Sequence, residues 1–221
     1  MADKVTIRQH LPVYFVTGLA PVGGRSALET VARALNGGVT IVQLREKEAP
    51  LARIMREGAA LRELCRRSGV PFIVNDRVDV ALLLDADGVH VGQDDLPCAM
   101  VRQLVGPERM IGVSAKTREE AAQAAADGAD YIGVGPIFAT ATKPDAGDAI
   151  GTSLLRYVRS ELGLPQVGIG GIGAANAADV IAGGADGIAV VSAIAGSADP
   201  REAAARLRSI AAAAAAGAKL V

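Results

Sequence analysis

Short β-branched runs alternate with longer Ala/Leu/Arg-rich segments along the whole chain. That rhythm restricts the fold more than any single motif does. The runs at Val13–Thr17, Val39–Leu44, Phe72–Asn75, Gly88–Val91, Met110–Val113, Tyr131–Val134, Gln166–Ile169 and Gly187–Val191 read as strands. Segments near Ser26–Asn36, Pro50–Ser68, Arg77–Leu84, Pro97–Val105, Arg118–Asp127, Ser153–Leu162 and Ala174–Ala182 read as helices, and a last helix follows Pro200. The strand runs are apolar without strict alternation, as in sheets buried on both faces. Glycines in Asn36-Gly37-Gly38, Asp127-Gly128 and Gly183-Gly184 stand where helices end just before strands. Eight such units in 221 residues predict a single (β/α)8 TIM barrel, one domain over residues 1–221 with its barrel core at about 13–210. An open doubly wound sheet is the alternative fold.

Composition narrows the class of function. Half of the residues are apolar and the formal net charge is −1, so a sizeable core is available and the basic footprint of a nucleic-acid binder is missing. No apolar run approaches the roughly 18 residues of a membrane span. No charged n-region with an apolar core marks a signal peptide, and Cys65 and Cys98 lie far apart without metal-ligand spacing. A cytoplasmic protein with reduced thiols is expected. Aromatics make up only 3%, so the core is expected to consist of Ala, Val, Leu and Ile.

In a barrel of this kind the active site forms at the C-terminal ends of the strands. Polar residues and glycines gather there. Strand two runs out through Gln43-Leu44-Arg45-Glu46-Lys47, strand three through Asn75-Asp76, and strand four through Gly92-Gln93-Asp94-Asp95. Strand five ends at Ser114, followed by Lys116. Strand six opens the loop Gly135-Pro136-Ile137-Phe138-Ala139-Thr140-Ala141-Thr142-Lys143-Pro144, and strands seven and eight end in Gly170-Gly171 and Val191-Ser192.

Two anion sites separate by chemistry. Arg45 and Lys47 can clamp phosphoryl oxygens, the first as a fork and the second as a point charge. Asp76 and Asp95 beside them make either internal ion pairs or a magnesium site shared with phosphate oxygens, and Asp94 competes with Asp95 for that role. The second site is the run Gly168-Ile169-Gly170-Gly171-Ile172-Gly173 with Val191-Ser192, where backbone N–H groups can approach a phosphate. The plainer reading is that these glycines only permit tight turns. The run also fits a G-x-G-x-x-G dinucleotide fingerprint, but six βα units precede it, whereas that signature opens its own domain. Bases are few. His10 precedes the first strand, and His90 lies within strand four, where it reads mainly as a packed residue. Two anion pockets, carboxylates for a metal and little acid–base equipment suit electrostatic catalysis of group transfer.

These stretches, from roughly Tyr14 to Pro200, resemble the thiamine phosphate synthase family in order and spacing. The resemblance implies condensation of 4-amino-2-methyl-5-hydroxymethylpyrimidine diphosphate with hydroxyethylthiazole phosphate, giving thiamine phosphate and diphosphate. It implies one magnesium ion per site, on Asp76 and Asp95. Gln43, Leu44, Arg45, Glu46, Lys47, Asn75, Ser114 and Lys143 resemble the pyrimidine-diphosphate site, with Arg45, Lys47, Ser114 and Lys143 acting on the reacting group. Thr140, Ala141, Thr142, Gly171, Val191 and Ser192 resemble the thiazole-phosphate site. The implied mechanism is dissociative, with diphosphate leaving first. Many members carry proline where Ala139 stands. The resemblance leaves a homo-oligomer open. The alternatives are a thiazole tautomerase-like paralogue and a non-catalytic phosphate-binding barrel; neither accounts as well for the Arg45/Lys47, Asp76/Asp95 and Thr142-Lys143 set.

Overall fold

The computed structural model describes residues 4–143 and 147–217, so Pro144 of the strand-six loop lies outside the described residues. Eight parallel strands close into a barrel in sequence order: β1 (Val13–Thr17), β2 (Ile41–Leu44), β3 (Phe72–Asn75), β4 (Gly88–Val91), β5 (Met110–Ala115), β6 (Tyr131–Val134), β7 (Gln166–Ile169) and β8 (Gly187–Val190). The first and last strands pair in register, Tyr14 with Ala189, which excludes the open sheet. Helices α1 (Lys4–His10), α2 (Ala27–Asn36), α3 (Leu51–Arg67), α4 (Val78–Leu83), α5 (Cys98–Val105), α6 (Arg118–Ala126), α7 (Ser153–Tyr157), α8 (Ala177–Ala182), α9 (Ser192–Ala195) and α10 (Pro200–Gly217) complete the chain.

Two cores follow from the period of two along each strand. One lies between barrel and helices and includes Phe15, Val42, Val74, Val113 and Ile132. The other fills the barrel and includes Tyr14, Val16, Ile41, Ile73, Met110, Tyr131 and Val167. Aromatic side chains are rare, but Tyr14, Tyr131, Phe15 and Phe72 are the largest fully buried ones, so the expected all-aliphatic core is corrected.

Several boundaries differ from expectation for physical reasons. α1 has no counterpart in the sequence reading. Ile7 and Leu11 bury against the barrel interior, so tertiary packing stabilises a helix too short to form alone. The helix expected from Ser153 continues past α7 as a π-helical turn, Val158–Leu162, and Gly163 ends it in the left-handed region at φ 60°. α8 begins later than expected because Asn176 folds a turn ahead of it. Its side chain accepts the Gly173 N–H at 2.8 Å and donates to the Gly171 carbonyl at 3.0 Å.

One residue just ahead of each even-numbered strand ties down the start of the preceding odd-numbered one. Thr40 Oγ1 accepts the Val13 N–H at 2.9 Å, Asp87 the Phe72 N–H at 2.8 Å, Asp130 the Ile111 N–H at 2.8 Å and Asp186 the Gln166 N–H at 2.9 Å. These ties hold the N-terminal end of the barrel and leave the other end for chemistry.

Candidate active site

A cavity of about 570 Å³ opens at the C-terminal ends of the strands. Of the residues singled out from sequence, Gln43, Arg45, Asn75, Ser114, Thr140, Ala141, Thr142, Lys143, Gly171, Val191 and Ser192 line it. Strands β1, β6, β7 and β8 also contribute small or apolar lining residues, Val16, Gly133, Val167, Ile169 and Ala189 among them, so the charged groups share the cavity with apolar wall.

The remaining site residues fall outside the lining. Leu44 points outward and is 1% exposed in the core between barrel and helices. The Glu46 carboxylate accepts N–H groups from Leu19 at 2.9 Å, Glu48 at 3.0 Å and Ala49 at 3.2 Å. Partial burial pushes its pKa up, but these N–H donors outweigh it and hold the carboxyl below its usual range. Glu46 therefore shapes the loops after β1 and β2. Lys47 Nζ stands 3.6 Å from Asp76 Oδ2 at the rim.

Asp76 adopts a left-handed backbone at φ 59°, and its N–H reaches the His90 carbonyl at 2.8 Å. This unusual conformation is one that aspartate tolerates better than most residues. Its side chain meets Asp95, not the exposed Asp94, and Asp95 Oδ2 also accepts the Gly92 N–H at 2.8 Å. Burial, then the hydrogen bond and charge of Asp95, raise the Asp76 carboxyl to about 6 against the pull of Lys47 and Arg45. Among the described residues no three His, Cys, Asp or Glu side chains converge as a metal cage. Two adjacent, mutually repelling carboxylates match magnesium, which takes hard oxygen ligands and completes its shell with water and phosphate oxygens.

The strand-six loop lies directly on the glycine run that follows β7. Ile137 N–H bonds the Ile169 carbonyl at 2.8 Å and Phe138 N–H the Gly170 carbonyl at 3.1 Å. Gly170 and Gly171 sit at φ 98° and 63°, and a Cβ on either would fall 2.6 Å from Pro136 Cβ or 2.4 Å from the Ala139 carbonyl. These two glycines thus admit the loop as well as a turn. The Gly135–Pro136 peptide is cis. Thr142 N–H donates to Thr140 Oγ1 at 3.2 Å, a small turn in the Thr140–Lys143 segment that lines the cavity.

Beneath the rim lies a buried polar chain that the sequence reading did not anticipate. Gln43 Nε2 donates to Tyr14 Oη at 2.8 Å, Tyr14 Oη bonds Tyr131 Oη at 2.8 Å, Tyr131 Oη bonds His90 Nδ1 at 3.1 Å, and His90 Nε2 bonds Ser114 Oγ at 2.9 Å. Burial, assisted by the Lys143 charge and opposed by Asp95, lowers His90 to about 4, and burial raises both tyrosines well above 10. The floor is therefore uncharged at neutral pH. Lys116 and Thr17 also line the cavity without having been singled out as site residues. The available signal was the glycines inside strands: a Cβ on Gly112 would lie 2.2 Å from Tyr131 Cζ and 2.4 Å from His90 Nδ1, a close approach that only glycine admits.

A second cleft, of about 650 Å³, opens at the other end of the barrel. Its Arg62, Arg66 and Arg109 are paired with Asp87, Glu63 and Asp85. Cations, carboxylates and an uncharged floor come together only at the C-terminal end among the described residues.

A family model described as thiamine monophosphate synthase matches residues 13–194. The thiamine-phosphate synthase of Moorella thermoacetica is 56% identical over 188 residues, covering 85% of this chain and 90% of that protein. The enzyme of the same name from Chloroflexus aurantiacus is 55% identical over 198 residues, covering 90% of this chain and 91% of that one. The solved thiamine phosphate pyrophosphorylase from Pyrococcus furiosus superposes with a TM-score of 0.85 at 40% identity, covering 94% of this chain and 98% of that chain.

Proposed function

The chain belongs to the thiamine monophosphate synthase family and condenses 4-amino-2-methyl-5-hydroxymethylpyrimidine diphosphate with hydroxyethylthiazole phosphate, and we propose that it does so by a dissociative route across one cavity with two anion ends. The observation that carries this route is the contrast between floor and rim. Arg45, Lys116 and Lys143 line a cavity whose His90 is neutral and whose buried phenols keep their protons. Such a site stabilises developing negative charge without needing to move a proton.

In the proposed sequence the bond between the pyrimidine methylene carbon and the diphosphate oxygen breaks first. Its electron pair leaves with the diphosphate. The thiazole nitrogen then gives its lone pair to the methylene carbon, forming thiamine phosphate. Arg45, Lys47, Asn75, Ser114 and Lys143 receive the diphosphate at the strand two-to-five side, with Gln43 at the inner end. Thr140, Thr142, Gly171, Val191 and Ser192 hold the thiazole phosphate at the opposite side. Asp76 and Asp95 would hold magnesium, which supplies Lewis-acid neutralisation of the diphosphate oxygens. Leu44 and Glu46 support the binding loop from behind. The buried, unpaired Cys65 and Cys98 suit a cytoplasmic setting; burial pushes their thiols to about 12 and about 11, so neither is a nucleophile.

Incubating the purified protein with both substrates, with and without magnesium, tests the reading. Thiamine phosphate and diphosphate are expected in equal amounts and only with the metal. Turnover unchanged by a chelator would remove magnesium from the proposal, and absence of thiamine phosphate would remove the reaction.

A further inference from the structure

We propose that His90 is a positioning residue for Ser114, held as the Nε2–H tautomer by a one-way chain of hydrogen bonds that starts at the Gln43 amide. The inference rests on the reading that Ser114 faces the diphosphate.

The direction follows from counting protons. Gln43 Nε2 can only donate, so Tyr14 Oη accepts from it. The Tyr14 proton then goes to Tyr131 Oη, 2.8 Å away. Tyr131 in turn donates to His90 Nδ1 at 3.1 Å, which makes that nitrogen the acceptor. A neutral imidazole carries one N–H, so it sits on Nε2 and points at Ser114 Oγ, 2.9 Å away. The serine accepts that bond, and its own proton is left to point into the cavity that Ser114 lines. Four side chains, from β1, β2, β4 and β6, thus set the Ser114 hydroxyl on β5 as a donor.

If the Gln43 amide is turned over, every bond reverses. Tyr14 donates to Gln43, His90 Nδ1–H donates to Tyr131, and Ser114 spends its proton on His90 Nε2. Only lone pairs of Ser114 would then meet an anionic substrate, which is repulsive. An anion site therefore selects the first direction. The backbone is shaped for the chain. Gly112 leaves no room for a Cβ beside Tyr131 and His90, and a Cβ on Gly133 would lie 3.0 Å from His90 Cε1.

Nitrogen-15 NMR of the imidazoles in the free protein is the first test, and with only His10 and His90 in the chain the signals separate by a His10→Gln variant. His90 is expected as Nε2–H, shifting towards a tautomer mixture in Tyr131→Phe. An Nδ1–H tautomer in the unaltered protein would overturn the proposal without any variant having to fold. Kinetics give the second test. His90→Gln, which keeps a donor near the Nε2 position, is expected to retain kcat within about 5-fold, whereas His90→Asn loses about 100-fold with KM for thiazole phosphate unchanged. Equal kcat in both variants, or a loss confined to KM, would overturn it. Ser114→Ala separates the two layers: undiminished kcat there overturns the role of Ser114 and this proposal with it, whereas a normal loss beside an Nδ1–H tautomer overturns this proposal alone.

Discussion

Asp76 combines three features that seldom coincide: a left-handed backbone, a carboxylate neighbour and a cation 3.6 Å away. Burial and then the Asp95 neighbour raise its carboxyl to about 6, so Asp76 resists ionisation beside Asp95. A divalent cation would relieve the repulsion between Asp76 and Asp95. Asp76→Ala is therefore expected to abolish magnesium-dependent turnover while thermal unfolding remains cooperative; unchanged turnover at limiting magnesium would exclude the assignment. His90 gives a residue-scale prediction about pH. Its folded pKa of about 4 lies below the ordinary value of 6.5, so between these values the unfolded chain binds a proton that the folded chain does not. Stability contributed here is full above pH 6.5 and is lost as pH falls towards 4, by up to about 3 kcal/mol. Burial is the main cause of the shift; Lys143 deepens it and Asp95 opposes it. The difference in melting temperature between the unaltered protein and His90→Gln should move across that window, and a flat difference would disprove the shift.

At the scale of elements, the strand-six loop joins the two halves of the site. It is seated on Gly170 and Gly171, and it returns to the barrel through Ile150 N–H to the Pro136 carbonyl at 2.8 Å and Gly151 N–H to the Ile137 carbonyl at 3.2 Å. Lys143 is delivered to the cavity from this anchored frame. Lys143→Ala is expected to lower kcat by about 100-fold, roughly 3 kcal/mol, with little change in KM for thiazole phosphate. A rise in that KM alone would place Lys143 at the other end of the cavity. Much of this element was legible beforehand, because glycine, threonine and lysine at a strand end carry a chemical signal of their own. The part not legible was contact between segments. Nothing in Gly170-Gly171 says that Pro136 and Ala139 will lie against it, and nothing in Glu46 says that its carboxylate will fold back on Leu19 and Ala49 rather than face the cavity.

Across the whole molecule the barrel divides its tasks between its two ends, as barrels of this class do. The four ties from Thr40, Asp87, Asp130 and Asp186 stabilise one end. Asp130 is 4% exposed, is paired with Arg102 and accepts the Ile111 N–H. Its removal leaves a largely buried guanidinium and an orphaned backbone donor. Asp130→Ala should lower stability by about 3–5 kcal/mol in chemical denaturation, and KM values of the surviving folded enzyme should not move. An altered KM would mean that the two ends are coupled.

The eight-unit rhythm, the end of the barrel at which chemistry gathers, and the identity of its cations and carboxylates can all be read along the chain. Those are local properties: strand period, helix-ending glycines and polar residues at strand ends follow from neighbours along the chain. Tertiary structure alone decided which side chains share the barrel interior. Gln43, Tyr14, Tyr131, His90 and Ser114 come from five strands, and only closure of the sheet brings them within 3.1 Å of their successive partners. Closure likewise chose Asp95 over Asp94 beside Asp76, because the choice depends on where the loop after β4 crosses the end of β3. Hydrogen bonding and burial between distant segments have no period, so a linear reading does not carry them.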